Sequence, residues 1–306
     1  MINLRKSAKH ALENLAVAFG LDRISRHVHG SSHVILAYHN IVPDDLTGIG
    51  DSSLHLPVGL FRQHLDTLTS THNIRPLDAV LRDGIWGSVT QPMAAITFDD
   101  AYRGVLELAL PELRARKLPA TLFVAPGILG DRTLWWDAVS DPSLGAPQPA
   151  LRERILAEGQ GKEAAARHMS HGARWSEMPQ LLRTATETEL GKLTDEDPLT
   201  IGSHSWSHPS LPHLPPDQIA RELLQSREWL QQRFKHRYLD ILSYPYGYHS
   251  EEVCDATAAA GYLAGLALHG TPPTGETKRS RFTTPRKNVP SGLSRNGLRL
   301  RLARGS

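Results

Sequence analysis

The chain has 306 residues, of which 22% are charged and 40% apolar, a composition typical of a globular protein with a sizeable core in one large domain or two ordinary ones. Its formal charge of +2 is too small to indicate a nucleic acid or another strongly anionic partner. The single cysteine, Cys254, excludes an internal disulfide framework and a thiolate metal cluster, and its helical surroundings predict a small buried side chain.

The start of the chain predicts a helical arm, because Ile2, Leu4, Leu12, Leu15 and Phe19 fit one face of an amphipathic helix. The simplest interpretation is that this helix packs on the protein's own domain. A role at a membrane surface is the alternative interpretation.

The same region does not resemble a secretory signal, since Glu13 and Asn14 interrupt its apolar stretch. No run of apolar residues in the sequence approaches membrane-spanning length. We therefore expect a cytoplasmic protein, with a peripheral membrane or periplasmic location as the alternatives.

Short segments rich in β-branched or aromatic residues recur along the chain, and turn or polar residues bound each of them. These predicted strands are HVILAYHN (33–40), NIRPL (73–77), AAITFDD (94–100), ATLFVA (120–125), LTIGSHS (199–205), DILSYPYG (240–247) and YLAGLALH (262–269). Helical patterns lie between many of them. Strands that alternate with helices indicate a parallel sheet, and near-continuous apolar strands indicate a sheet covered on both faces, as in a barrel.

One stretch, from about Gly130 to Pro198, interrupts this alternation. It contains no convincing strand, but it carries LWWDAV and then charged helical sequence, so we interpret it as a helical insertion on the rim of the barrel. Trp135 and Trp136 fit either a platform for sugar stacking or the apolar core of the insertion.

The sequence therefore divides into a helical arm (1–30), a barrel (31–290) that contains the insertion (about 130–198), and a basic tail (291–306). The tail has leucines between its basic residues, and we expect it to be a frayed terminus.

Polar side chains follow several of the predicted strands at the point where each strand ends, namely His39, Asp99, Asp100, His204 and Tyr246. In α/β barrels, the carboxyl ends of the strands build the active site. Two adjacent carboxylates at the end of a buried strand are costly unless a positive charge compensates for them.

A divalent cation would supply that charge. His204 and His208 lie four residues apart, and the prolines that follow them predict a strand end that turns into a loop. The spacing still allows both imidazoles to converge on one ion. Taken alone, the pair fits histidines with ordinary partners on the surface or in the core better. Asp100 with these two histidines would bind the ion and leave positions open for water and substrate.

Three motifs occur in a fixed order along the chain, namely TFDD (97–100), HSWSH (204–208) and YPYG (244–247). Together they resemble the polysaccharide deacetylases, the carbohydrate esterase group (carbohydrate esterase family 4) that shares the NodB homology domain. The resemblance covers nearly the whole chain, and AYHNI (37–41) is similar to the exopolysaccharide-deacetylase branch. It implies the α/β fold of that family, a distorted, incomplete (β/α)7 barrel, which agrees with the predicted strands.

The resemblance also implies roles for the residues that match its motifs. Asp100, His204 and His208 match the metal ligands, and the metal is usually Zn²⁺. Asp99 matches the general base, because metal coordination would keep Asp100 an anion while Asp99 stays free to accept a proton.

Two further roles follow from the same resemblance. The backbone N–H of Tyr246 would be a donor to the oxyanion, and by analogy with the branch His39 would be the general acid that protonates the leaving amine.

The chain departs from the family pattern at several positions. Ser243 replaces the arginine that usually opens the third motif, so an arginine beside Asp99 must come from elsewhere, and Arg286 is our candidate. A structural ion pair is the alternative role for Arg286. The usual late leucine-x-histidine motif has only His269 as a near match, and Ala101 replaces a common glycine.

The function that the resemblance implies is hydrolysis of N-acetyl groups on amino sugars, with release of acetate and a carbohydrate as partner. Hydrolysis of O-acetyl esters, or action on a lipid-linked or small sugar, is an alternative within the same chemistry. A metal-stabilised protein that binds glycans without turning them over is the alternative of another class.

Overall fold

The computed structural model describes residues 11–22, 33–46, 48–170, 173–175, 178–268 and 280–303. Its strands are β1 (Val34–Tyr38), β2 (Asn40–Val42), β3 (His55–Pro57), β4 (Asn73–Ile74), β5 (Met93–Phe98), β6 (Ala120–Val124), β7 (Ser140–Asp141), β8 (Ala146–Pro147), β9 (Leu199–Ser203), β10 (Tyr238–Ser243), β11 (Ala264–Ala267), β12 (Thr284–Pro285) and β13 (Lys287–Asn288). Each of the seven predicted strand segments overlaps one of them.

The α-helices are α1 (Val58–Thr71), α2 (Leu77–Ala79), α3 (Leu110–Arg116), α4 (Trp135–Ala138), α5 (Pro149–Ala157), α6 (Glu163–Met169), α7 (Glu187–Leu190), α8 (Pro216–Phe234), α9 (Glu251–Ala259) and α10 (Arg295–Ala303). Residues 11–18 are also helical. Two π-helical segments, Val80–Ile85 and Val105–Ala109, adjoin α2 and α3.

The main sheet is parallel and almost closes on itself. Its strands follow the order β12, β11, β10, β9, β6, β5, β1 and β13, and β4 pairs with β5 outside this path. Only Arg286 lies between β12, which pairs with β11, and β13, which pairs with β1, so this one stretch of chain joins the two ends of the sheet. The predicted (β/α) barrel is confirmed.

The barrel is stable because its strands are apolar on both faces. Every residue of β1, β5 and β6 is buried, as a sheet covered by helices requires. Helix α1 faces this core with Phe61, Leu65 and Leu68, which share one face of the helix and are fully buried. Cys254, on α9, is also buried, as its helical surroundings predict.

The predicted insertion between β6 and β9 contains four short α-helices, α4 to α7, which loops connect. It also contains one element that the sequence analysis missed, an antiparallel hairpin of β7 and β8. The strands have two residues each, too few for an alternating pattern. The turn is stabilised by Asp141, whose Oδ1 accepts hydrogen bonds from Ser143 N (2.8 Å) and Ser143 Oγ (2.6 Å).

The expectation of a frayed basic tail was wrong, because residues 295–303 form helix α10, which packs against α1. Leu298 and Leu302 are buried, since their spacing of four places both on the inward face of the helix. Among the described residues, no helix combines the length and the apolar character that crossing a membrane requires.

Candidate active site

A cavity of about 420 Å³ lies at the carboxyl ends of the barrel strands. Its walls include every side chain that the sequence analysis placed at a strand end, together with both tryptophans of the insertion, namely His39, Asp99, Asp100, Trp135, Trp136, His204, His208 and Tyr246. The prediction that these polar residues share one end of the barrel is therefore confirmed.

The two carboxylates are presented by an unusual turn of the backbone after β5. Asp100 and Ala101 both have left-handed conformations, with φ of 69° and 50°, which are uncommon for residues other than glycine. The N–H of Asp99 donates to Tyr38 O (3.0 Å), and the carbonyl of Ala101 accepts from Ala185 N (2.8 Å). These contacts hold the turn so that Asp99 and Asp100 point to different partners.

The two histidines reach the cavity from the loop after β9. His204 Nδ1–H donates to the carbonyl oxygen of Ser243 (2.7 Å), which leaves Nε2 of His204 with a lone pair facing Asp100. Left-handed backbone at Ser205 and His208, with φ of 62° and 58°, turns the chain so that His208 comes back beside His204. The two histidines therefore lie on the predicted loop and not on a helix.

Asp100, His204 and His208 form one buried cluster in which the ligand atoms of all three lie within 4.8 Å of one another. Nε2 of His208 lies 3.1 Å from Oδ1 of Asp100, and Nε2 of His204 lies 3.5 Å from the same oxygen. The two Nε2 atoms are 3.2 Å apart. The structure therefore brings the three predicted metal ligands together.

The cluster fits a divalent cation. Oδ1 of Asp100 is buried and has no hydrogen-bond partner, which is costly for a carboxylate oxygen unless another positive group is bound there. Burial disfavours the charged form of Asp100, but the two imidazoles outweigh it and hold its pKa below the ordinary range. One carboxylate and two imidazoles are a donor set typical of catalytic zinc sites.

Asp99 faces a different partner, Arg286. Arg286 donates from Nη1 to Oδ1 of Asp99 (2.8 Å) and from Nη2 to Oδ2 (2.7 Å), a bidentate contact between two buried side chains. Nη2 also donates to Ser243 Oγ (2.7 Å). The structure thus places our candidate arginine against Asp99 and gives Ser243, at the position of the usual arginine, a contact with it.

This pairing keeps Asp99 ionised. Burial alone would raise the pKa of Asp99, but the positive charge of Arg286 and the neighbouring His204 hold it below its ordinary range. Asp99 Oδ2 lies 4.0 Å from His204 Nε2, beside the cluster of Asp100, His204 and His208 rather than within it.

Tyr246 and the tryptophan pair form the wall next to His208. Tyr246 has a left-handed backbone with φ of 59°, and its hydroxyl donates to the carbonyl of Gly161 (3.2 Å). Trp135 Nε1 donates to the same hydroxyl (3.0 Å), and the ring centroid of Trp136 lies 4.9 Å from that of His208. Both tryptophans are buried, so they are packed core that also lines the cavity, rather than an exposed platform.

A buried hydrogen-bond network behind this wall was missed in the sequence. Asp137 accepts from Tyr102 OH (2.5 Å) at Oδ2, and its Oδ1 lies 2.9 Å from His55 Nε2. Trp136 Nε1 donates to Tyr102 OH (2.7 Å), so the network fixes the ring that contacts His208. The available signal was an aspartate within the apolar WWDAV sequence, where a charge requires buried partners.

The cavity is also lined by five polar residues that the sequence did not single out, namely Asp51, Ser53, Arg152, Tyr248 and Asn288. His213, five residues after His208, bonds with Ser210 Oγ (2.7 Å) and is not part of the cluster. His269 lies outside the described residues.

Comparison with known proteins shows which family the chain resembles. The model of the family described as Polysaccharide deacetylase matches residues 87–265. YxkH of Bacillus subtilis (strain 168), whose name places it with the polysaccharide deacetylases, is 24% identical over 262 residues, which cover 85% of this chain and 72% of that protein.

Two solved structures share the fold. The deacetylase PplD of Streptococcus pyogenes, solved in complex with acetate, has a TM-score of 0.58 at 17% identity, with 87% of this chain and 96% of that chain covered. IcaB from Ammonifex degensii has a TM-score of 0.60 at 16% identity, with 90% and 97% covered. The match over more than half of the chain shows that this protein belongs to the polysaccharide deacetylase family, a family of hydrolases.

Proposed function

We propose that this protein is a metal-dependent deacetylase that hydrolyses N-acetyl groups of amino sugars in a polysaccharide or a glycan precursor and releases acetate. The observation that carries this proposal is the arrangement of two adjacent carboxylates in one cavity. Asp100 lies with His204 and His208, whereas Asp99 lies outside that cluster and is held by Arg286.

Asp100, His204 and His208 would hold the ion, and we propose Zn²⁺ because of the imidazole and carboxylate donors. When bound, the ion would polarise the acetyl carbonyl and increase the acidity of water in the cavity.

Asp99 would act as the general base. Its low pKa keeps it a carboxylate at neutral pH, and each of its oxygens has a second lone pair beyond the one that Arg286 occupies. The bidentate contact fixes the carboxylate so that it can accept a proton from the attacking water. Arg286 is therefore a positioning residue for Asp99.

His39 and Tyr246 would complete the reaction. Both line the cavity, His39 directly after β1 and Tyr246 after β10. We assign to the Tyr246 N–H the role of a donor to the oxyanion that forms on the acetyl carbonyl. We assign to His39 the role of the general acid, since an imidazole can hold and release a proton near neutral pH.

The substrate we favour is an oligosaccharide or a polymer. A second cavity, of about 640 Å³, shares Ser53 and Ala146 with the first and offers room for further sugar units. A function in exopolysaccharide biosynthesis would follow from such a substrate.

Arg152 supports the alternative substrate, a sugar linked to a lipid through phosphate. Its guanidinium lines the first cavity and could contact an anionic linkage. A cytoplasmic location, which stays a prediction, would favour this precursor because an exported polymer would be out of reach.

The rival of another class is a glycan-binding protein that retains the metal for stability. Such a protein has no use for a buried carboxylate that is fixed beside the ligands but is not one of them. A buried ion pair contributes little net stability compared with apolar residues of the same size, so stability alone does not explain the Asp99–Arg286 pair. The pair therefore favours catalysis.

Release of acetate from a substrate panel tests the proposal. The panel would contain N-acetylglucosamine oligomers of increasing length, a lipid-linked N-acetylhexosamine and an O-acetylated glycan, each with enzyme before chelation, after chelation and after addition of Zn²⁺. We expect acetate from the N-acetylated substrates, loss on chelation and recovery with Zn²⁺.

Two results would contradict the proposal in different ways. Activity that chelation leaves unchanged would remove the role of the metal. Retained binding of metal and glycan without acetate from any substrate would favour the binding protein.

A further inference from the structure

The segment 11–22 presents its apolar side chains outward. Leu12, Leu15, Phe19 and Leu21 are 68%, 54%, 76% and 49% exposed. We call these four side chains the N-terminal apolar face. Of the eight large apolar side chains that are exposed in the described residues, four lie in this short segment, so the exposure is concentrated rather than scattered.

The inward side of the same segment is acidic, the reverse of an ordinary amphipathic helix on a protein core. Glu13 and Asp22 are buried. Ser294 Oγ donates to Glu13 Oε2, and Arg299 Nη2 donates to Asp22 Oδ2 (2.8 Å). These contacts attach the segment to α10 and the residue that precedes it.

This attachment determines which face remains outside. Glu13 lies at the N-terminus of α10, where a negative charge is favourable, and Ser294 caps that helix by accepting from Gly297 N (2.9 Å). The segment is therefore held through its acidic residues, and the N-terminal apolar face is held outward.

The sequence that flanks this segment is basic. The sequence on either side of the segment carries Arg5, Lys6, Lys9, Arg23 and Arg26. The only acidic residues among residues 1–30 are Glu13 and Asp22, and both are turned toward α10.

On α10, the neighbouring helix, Arg295 and Arg301 are exposed. An apolar face with basic residues around it matches the interface of an anionic lipid bilayer, where the rings and chains enter the acyl boundary and the cations meet the headgroups.

We propose that the segment 11–22 docks the protein on an anionic membrane surface through the N-terminal apolar face. A second copy of the chain is the less suitable occupant, because pairing two of these faces would bring their basic surroundings together. This inference does not depend on the proposed reaction, and its test does not use acetate release.

The test is co-sedimentation of the full chain with vesicles of phosphatidylglycerol and phosphatidylcholine in equal parts, and with vesicles of phosphatidylcholine alone. We expect partitioning to the anionic vesicles to be about tenfold or more stronger, and to weaken as salt is raised. The variant Leu15→Ser with Phe19→Ser should bind the anionic vesicles at least about tenfold more weakly, because two large apolar side chains no longer leave water.

The matched control is Leu224→Ser with Leu263→Ser, which changes two side chains that are 42% and 61% exposed elsewhere on the protein. It should partition as the unaltered chain does, and all proteins should melt alike because the altered side chains are on the surface.

The proposal is overturned if the unaltered chain stays in solution with the anionic vesicles, or if both double variants bind equally. It is also overturned if light scattering shows a dimer that Leu15→Ser with Phe19→Ser makes monomeric while vesicles bind neither form. In that case a second copy covers the face.

Discussion

Replacing Asp99 with asparagine is expected to lower kcat for acetate release by about 100-fold to 10,000-fold, the usual contribution of a general base. Asparagine has nearly the same shape, and its oxygen can accept one of the two hydrogen bonds from Arg286. It cannot accept a proton from water at neutral pH, which removes the proposed base. The buried guanidinium also loses its counter-charge, so we expect the variant to be less stable than the unaltered protein.

The same variant should bind the metal as the unaltered protein does, because Asp99 is not part of the Asp100, His204 and His208 cluster. Metal content by mass spectrometry and acetate release on one preparation give both answers. Asp217→Asn, at a side chain 70% exposed on α8, is the matched control and should change neither quantity. Activity within tenfold of the unaltered enzyme would show that Asp99 is not the base.

Replacing Arg286 with methionine is expected to lower the free energy of unfolding by roughly 3–5 kcal/mol, because it leaves the charge of Asp99 buried without its partner. The Arg286 side chain is fully buried, and two of its three shortest hydrogen bonds go to that carboxylate. Urea unfolding of the chelated proteins measures this loss without a contribution from bound metal.

The double variant Asp99→Asn with Arg286→Met should recover a good part of that stability while remaining inactive, since neither charge is then left alone. A double variant no more stable than Arg286→Met would show that the guanidinium supports the fold by packing and not by pairing with Asp99.

The pH dependence gives a second readout for Arg286. Arg286 and His204 lower the pKa of Asp99 against the opposing effect of burial, so the stability gained from this carboxylate is present above its ordinary pKa and is lost as the pH falls through the lowered value. In Arg286→Met the pKa of Asp99 rises, and the acidic limb of the kcat profile should move to higher pH. A purely structural Arg286 would leave that limb in place.

The barrel and the cluster of Asp100, His204 and His208 could be predicted because they leave strong local signals. Apolar strands such as AAITF end abruptly in charged residues, and parallel strands bring such ends to one edge of the sheet. Asp99, Asp100 and His204 were found in this way, and the family motifs added their roles.

The short closing strands β12 and β13 could not be predicted in this way. They have two residues each, and they exist because the barrel supplies partners on either side of Arg286. The intrinsic strand propensity of two residues is too weak to predict a strand.

The orientation of the segment 11–22 and of helix α10 could not be predicted from the sequence either. The leucines near residue 300 have the spacing of a helix, yet their basic neighbours favoured the interpretation of a tail. The amphipathic pattern at the start of the chain was visible, but not that Glu13 would face α10 and leave the leucines outside. Such choices depend on which partner the rest of the fold provides.

The central claim is that one metal ion lies between Asp100, His204 and His208 while Asp99 remains outside its coordination. Anomalous diffraction from crystals of the zinc-loaded protein, collected on both sides of the zinc absorption edge, measures this directly. We expect a single strong peak bonded to the three side chains, with both Asp99 oxygens still accepting hydrogen bonds from Arg286. A peak bonded to Asp99, or zinc-loaded protein with no peak at these residues, would contradict it.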